Sequence, residues 1–258
     1  MAIDSFNRIW RIFATGLSFT TFGVGGVLLG LIGFPLLNLV VWNRPRRHRI
    51  ARRWVQRSFG LFIALMRALG VLSYELHGID RLQRRGLLVL ANHPTLIDVV
   101  FLAWLTPNAG CVVKSALLRN PVMIGPVTAT GYIVNSTGPG LIRDCVKSVQ
   151  SGSNLLIFPE GTRSPPGGFG ELQRGAANVA VRAPVNLSPV IITCNPPTLG
   201  KGGKWYRVPS RRFHICVDVR PDLEVAPFLE GVSPSVAARK LTDHLSEYFN
   251  RELARARA

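Results

Sequence analysis

The chain has 258 residues, 47% of them hydrophobic, and its 31 Lys or Arg against 14 Asp or Glu leave a net charge of +17. That length buries a full core for one domain plus an appendage, and the charge points to an anionic partner. Nucleic acid is set aside because no helix-turn-helix, zinc or aromatic RNA-binding signature is present, and Cys111, Cys145, Cys194 and Cys216 are scattered without a Cys-x-x-Cys pair or a His at ligand spacing, so they read as reduced structural thiols and no metal is expected.

The first predicted element is a membrane segment. Ile12 to Asn43 carries no charged residue, with Arg8 and Arg11 before it and Arg44, Arg46, Arg47, Arg49, Arg52 and Arg53 directly after it. As one straight helix those 32 residues would span about 48 Å, against a hydrocarbon core of ~30 Å. A tilted span with polar ends and a bend near Gly33-Phe34-Pro35 are both open. The run is too long for a cleaved signal peptide, and no small-x-small site precedes a mature start. The basic cluster on its C-terminal side places the rest of the chain in the cytoplasm. Gly26-Val27-Leu28-Leu29-Gly30 has the small-xxx-small form of a helix contact, read here as packing within the segment rather than dimerisation. Trp54 to Ser73 mixes Phe59, Leu61, Phe62, Leu65, Met66 and Leu69 with Arg57 and Arg67, which predicts an interfacial helix. Residues 1–75 are therefore expected to form a membrane anchor and interfacial helix, and residues 76–258 a separate domain.

Downstream, strands and helices alternate. Leu87–Ala91 is a short apolar strand, and Val99–Leu105 reads as a buried helix. Cys111–Lys114, Tyr132–Val134 and Asn154–Phe158 are further strands, and unbroken apolar runs of this kind suit strands buried on both faces. Leu141, Cys145, Val146 and Val149 recur at helical spacing, opened by Gly138-Pro139-Gly140. Leu172–Arg182 predicts another helix, Val185–Thr193 a strand, and Phe213–Val219 an antiparallel or edge strand. Pro234–Arg257 closes the chain as a helix whose Leu241, Leu245, Tyr248 and Phe249 form one apolar stripe for the core. The pattern predicts an α/β fold, a mixed, mostly parallel sheet flanked by helices, with an N-terminal membrane-embedded helical segment. Ligands in such sheets gather at the carboxyl ends of the strands.

Two polar runs fall at those ends. In Asn92-His93-Pro94-Thr95-Leu96-Ile97-Asp98, an imidazole able to accept a hydroxyl proton stands near a carboxylate able to fix its tautomer. On a regular helix His93 and Asp98 would lie about 140° apart at ~100° per residue. His93 must then precede the helix, with Pro94 at its first position and Asp98 one turn inside, reaching back. In Phe158-Pro159-Glu160-Gly161-Thr162-Arg163-Ser164, Gly161 permits a tight turn beneath a ligand and Arg163 offers a planar fork suited to phosphate. Glu160 is read either as a ligand contact or as the partner of Arg163 in a loop-ordering pair. Lys114, ending its strand, is a further phosphate ligand or a solvated lysine.

These blocks, with Lys114, Pro121 and Gly125 between them and Ser188-Pro189-Val190-Ile191 after them, resemble the first and third blocks of the glycerolipid acyltransferases, best known as 1-acyl-glycerol-3-phosphate acyltransferases. The resemblance runs from about Leu87 to Ile192. It implies an enzyme that needs no cofactor or metal: His93 as general base, Asp98 orienting it, backbone N–H groups of the two turns holding the oxyanion, and Asn92, Lys114, Glu160, Gly161, Thr162 and Arg163 binding substrate. It implies acyl-CoA or acyl carrier protein as donor, a lysophospholipid acceptor, by default lysophosphatidic acid, and membrane lipids as surroundings. The family's second block normally leads shortly to an arginine for the glycerol phosphate. Here Gly131-Tyr132-Ile133-Val134 leads to Asn135-Ser136-Thr137, and the nearest arginine is Arg143. A different hydroxylated lipid acceptor, or a non-catalytic protein binding anionic lipid, stand as alternatives. Lys201, Lys204, Arg207, Arg211 and Arg212, interleaved with Trp205 and Tyr206, suit a carrier protein, the bilayer or plain solvent.

Overall fold

The computed structural model describes residues 2–135, 140–165 and 168–257. Ser136, Thr137, Gly138 and Pro139, and with them the expected helix-opening turn, lie outside the described residues.

Seven strands form one sheet: β1 (Leu72–His77), β2 (Leu88–Ala91), β3 (Ala109–Lys114), β4 (Ile133–Asn135), β5 (Asn154–Ile157), β6 (Leu187–Asn195) and β7 (Phe213–Val219). Their order is β1-β7-β6-β2-β5-β3-β4. From β6 through β4 all neighbours are parallel, whereas β7 runs antiparallel to β6 and β1 parallel to β7. The sheet is thus mixed and mostly parallel. Phe213–Val219 is the antiparallel strand expected, with β1 covering its outer side. Strand β2 is central and buried throughout, and its side chains divide between two cores by simple alternation. Val89 and Ala91 enter one with α3 (Arg44–Ala68) and α4 (Asp98–Leu105), while Leu88 and Leu90 enter the other with α6 (Gly140–Gln150), α7 (Gly175–Arg182) and α8 (Pro234–Arg255). The α8 stripe is as expected, with Leu241, Leu245 and Phe249 at 0 to 1% exposure.

The N-terminal run is helical from α1 (Ala2–Leu28) through α2 (Phe34–Val40), joined by a π-helical turn at Leu29–Gly33. Wider hydrogen-bonded turns of this kind re-register a helix, here immediately before Pro35, which has no N–H to give. Asn43 then caps α3 through its side chain, which accepts from the Arg46 N–H at 2.9 Å. Residues 7–40 are long and apolar enough to cross a membrane, and Leu31, Leu39 and Trp42 stand more than 70% exposed. One face of α1 is nevertheless docked: Ala14, Thr15 and Ser18 are buried. The Gly26 and Gly30 positions meet α5 (Ile124–Thr130) and its approach, since a Cβ on Gly125 would stand 2.5 Å from the Gly30 Cα and one on Gly26 would stand 2.7 Å from Val122. The small-xxx-small pattern packs within the chain.

Three expectations change. The boundary placed before Leu76 falls inside β1, whose six residues pair with Phe213–Asp218. Phe62, Ile63 and Met66 of α3 belong to the main core, so the expected interfacial helix is also a layer of the domain, one stripe of its apolar residues covering the sheet. Arg52, counted among the membrane-flanking arginines, is buried at 8% exposure. It donates to Thr130 O at 2.9 Å, Asn108 Oδ1 at 3.2 Å and Ser153 Oγ at 2.9 Å, which ties α3 to two loops and to the C-terminal end of Ile124–Thr130. Burial lowers its pKa first, with Tyr132 opposing.

Candidate active site

Because β2, β5, β3, β4 and β6 share one direction, their carboxyl ends open on a single edge of the sheet. His93 follows β2, Phe158 to Ser164 follows β5, Lys114 ends β3, Asn135 ends β4, and the Leu199-Gly200 loop follows β6. Both polar runs therefore meet where α/β sheets place ligands.

His93 Nδ1 lies 2.8 Å from Asp98 Oδ2. Asp98 is the first residue of α4 and wholly buried. The helix thus starts later than expected: Pro94 precedes it instead of occupying its first turn, because residues 95–97 form a turn closed by Asp98 itself. The Thr95 N–H donates to Asp98 Oδ2 at 2.6 Å and the Thr95 hydroxyl to Oδ1 at 2.5 Å. Burial pushes the Asp98 carboxyl up, while the bonds from His93 and Thr95 favour its ionised form. Thr95 was overlooked in the sequence. Its signal was the Thr-x-x-Asp spacing of a helix-start box. The His93 ring, 17% exposed as a side chain, stacks on Phe158 with centroids 4.3 Å apart and 25° between planes. With Nδ1 engaged, Nε2 is the ring nitrogen left for chemistry.

Glu160 lies apart from Arg163. It is 5% exposed; its Oε1 accepts from the Ser164 hydroxyl at 2.5 Å and the His93 N–H at 3.3 Å, and its Oε2 accepts from the Gly170 N–H at 2.8 Å. The Ser164 N–H donates to His93 O at 2.7 Å, and the His93 N–H also reaches Ser164 Oγ at 3.0 Å. A Cβ on Gly170 would meet Glu160 Oε2 at 2.8 Å, so this clamp needs glycine there. Arg163 turns the other way and donates from Nη1 to Leu199 O at 2.9 Å and Gly200 O at 2.7 Å. Leu199 O also accepts from Leu96 N at 3.1 Å. No sequence signal marked this loop. Gly161 adopts φ +64° as its N–H closes on Phe158 O at 2.9 Å, the turn anticipated for it.

Asn92 is 2% exposed and spends its amide on β6: Nδ2 donates to Ile192 O and Oδ1 accepts from the Ile192 N–H, both at 2.7 Å. That bond pair closes β2 against β6 below the site and leaves Asn92 facing protein instead of ligand. Lys114 is exposed and lies in register beside Asn135. Of the turn N–H groups considered for an oxyanion, those of His93, Thr95, Leu96, Gly161 and Ser164 are already bonded within the protein. In the second turn, the N–H groups of Glu160, Thr162 and Arg163 have no hydrogen-bond partner among the described residues. Burial holds the Cys111 thiol up at about 12, and burial with the field of Asp98 holds Cys194 there too.

Residues 73–193 match the acyltransferase family. The matched region contains both motif turns. The chain is 24% identical over 174 residues to the chloroplastic 1-acyl-sn-glycerol-3-phosphate acyltransferase of Arabidopsis thaliana, across 64% of this chain and 46% of the relative. It is 25% identical over 153 residues to the Pseudomonas aeruginosa 1-acyl-sn-glycerol-3-phosphate acyltransferase, 57% of this chain and 58% of that one. It is 29% identical over 149 residues to the Homo sapiens beta enzyme of the same name, 54% and 50%. The chain spans about half the length of the curated relatives it matches. The crystal structure of the 1-acyl-sn-glycerophosphate acyltransferase of Thermotoga maritima shares the fold, with a TM-score of 0.70 at 16% identity over 99% of this chain and 98% of that one.

Proposed function

We propose that this protein is a membrane-bound O-acyltransferase that moves a fatty acyl group from a thioester to the hydroxyl of a lysophospholipid, by default 1-acyl-glycerol-3-phosphate, giving phosphatidic acid. The observation that carries this reading is the buried Asp98 held 2.8 Å from His93 Nδ1, which leaves Nε2 for the acceptor, at the sheet edge whose strand ends also supply Arg163 and Lys114. A thioester is already activated, so a base and an oxyanion site suffice. His93 Nε2 takes the acceptor's proton as its oxygen bonds to the carbonyl carbon. The Thr162 and Arg163 N–H groups receive the developing oxyanion. On collapse the C–S bond breaks, and the proton on His93 passes to the leaving thiolate. Asp98 stabilises the imidazolium between the two steps.

Arg163 binds the acceptor's phosphate with the face not spent on Leu199 and Gly200, and Lys114 adds a second cation in place of the arginine missing from the second block. Asn92 and Glu160 act as positioning residues. The apolar cavity of about 670 Å³ between α1, α3 and α5, lined by Phe22, Gly26, Leu29, Phe59, Phe62 and Met123, suits hydrocarbon from either lipid substrate. The exposed apolar face of residues 7–40 sits in the bilayer, with the sheet on the cytoplasmic side as the arginines following Asn43 indicate. Trp205 packs 3.3 Å from the Cβ position of Gly16, and Arg11 bonds Ser210 O, so the basic loop 200–212 rides at the same surface.

The test is a panel of lysolipid acceptors with labelled acyl-CoA and acyl carrier protein, read by lipid mass for the wild type and His93→Ala. Transfer to the phosphorylated acceptor should fall by about 10²- to 10⁴-fold in the variant, with fold and membrane binding kept. Transfer at the wild-type rate by purified His93→Ala would remove this mechanism.

A further inference from the structure

A second cluster of reactive side chains lies at the other end of the sheet. In the parallel β1–β7 pair, Ser73 stands beside His214, Glu75 beside Cys216 and His77 beside Asp218. Residues two apart on a strand share a face, so these six line one surface, while Phe213, Ile215, Val217 and Val219 point into the core. On that surface a Glu75 carboxylate oxygen, a His77 ring nitrogen and the Cys216 sulfur all lie within 4.8 Å of one another. His77 Nε2 is 3.6 Å from Glu75 Oε2.

We propose that Glu75, His77 and Cys216 form a binding site for a borderline divalent transition metal of the zinc type, with His214 as the fourth ligand. Bonds of ~2.0–2.3 Å to N, O and S place ligand atoms of a tetrahedral site roughly 3.3–3.8 Å apart. The 3.6 Å separation already fits; Glu75 and His77 are exposed and free to rotate, while the half-buried Cys216 and His214 are held by β7. A mixed sulfur, nitrogen and carboxylate set selects zinc, cobalt, nickel or copper over magnesium or calcium. His214 is prepared for its part: Nδ1 lies 3.0 Å from Ser73 Oγ, while Nε2 faces the other Glu75 oxygen at 3.8 Å. A ring donating from Nδ1 to that hydroxyl presents the Nε2 lone pair to the ion, as orienting partners of metal-bound histidines do. Asp218 is drawn aside by Arg220 at 3.3 Å. The site lies on β7 and β1, at least two strands from β2, and its role is to staple β1, which follows α3, to β7.

The test is titration of the purified full-length protein in detergent with Co²⁺, followed by absorbance. The expected result is a tetrahedral cobalt spectrum with a thiolate-to-metal charge-transfer band, displaced by Zn²⁺, abolished by Cys216→Ser and unchanged by Cys194→Ser. His77→Gln should weaken binding by about 10- to 100-fold, and because His77 is exposed this variant carries the test even where Cys216→Ser does not fold. Absence of micromolar binding, a spectrum without the thiolate band, a band that survives Cys216→Ser, or unchanged affinity in His77→Gln would each overturn the site.

Discussion

The Glu160 carboxylate and the His93 main-chain N–H are joined at 3.3 Å across 67 residues of sequence, and Ser164 completes the triangle, 3.0 Å from that N–H and 2.5 Å from Glu160 Oε1. Oε1 therefore accepts twice, and Oε2 takes the Gly170 N–H. Glu160→Gln must turn an NH₂ toward one of these donors. The expected outcome is a loss of about 1–3 kcal/mol in stability, with a lower kcat and little change in acceptor KM. Thermal melts in detergent beside steady-state kinetics check it; an unchanged melting point would show that the clamp is dispensable.

Thr95→Val keeps the shape of the side chain but removes the hydroxyl that donates to Asp98 Oδ1. The carboxylate then loses one of three partners in a buried site, its ionised form is less favoured, and its hold on His93 loosens. kcat should fall roughly tenfold, within the range of a lost orienting partner, with acceptor and donor KM near their wild-type values. A wild-type kcat would place Thr95 in folding alone.

Arg163→Lys replaces a planar fork by a point charge. Lysine cannot bond Leu199 O and Gly200 O while also meeting a phosphate in two places. Acceptor KM should rise strongly, donor KM should stay near its wild-type value, and discrimination between phosphorylated and unphosphorylated acceptors should shrink. Retention of the wild-type acceptor KM would show that phosphate is held elsewhere.

A chain beginning at Leu76 lacks most of β1 and all of α3, and so strips Phe62, Ile63, Met66 and Leu72 from the main core. At about 2–5 kcal/mol for each large buried side chain removed, that exceeds the usual stability of a domain. It should be insoluble or unfolded by circular dichroism, whereas a chain beginning at Asn43 should keep native secondary structure with weaker membrane partition. A cooperative melt from the shorter chain would contradict this account of the core.

Arg84 grips Asp222 with two bonds of 2.8 Å, and Ser188 adds a third at 2.8 Å. Burial pushes the Asp222 carboxyl up, but these partners outweigh it and hold its pKa below the ordinary range. A depressed carboxylate contributes stability above its unfolded pKa of about 3.9, and that contribution disappears as pH falls through the folded value. Arg84→Ala should therefore cost at most about 1 kcal/mol, evenly from pH 5 to 8, and the difference should vanish in stronger acid. Urea midpoints across that range measure it.

Much of this architecture was legible in the chain. The unbroken apolar runs at Leu87–Ala91 and Asn154–Phe158 announced buried parallel strands, the α8 stripe announced a helix on a core, and the two polar runs announced residues that the fold brings together at one edge of the sheet. Local period and local composition carry that information because both are set by neighbours in sequence. Other features were decided only by tertiary structure. Leu72–His77 became a strand because β7 offered it a six-residue register, overriding its place behind an amphipathic helix. Arg52 left the membrane-flanking cluster because three acceptors distant in sequence, on the end of α5 and on two loops, converge on it. Glu160 turned from Arg163 to His93 because Ser164 and Gly170 surround it once the turn closes. Glu75, His77, His214 and Cys216 share a surface for the same reason: hydrogen bonding between strands far apart in sequence, which no local pattern records, fixes which side chains meet.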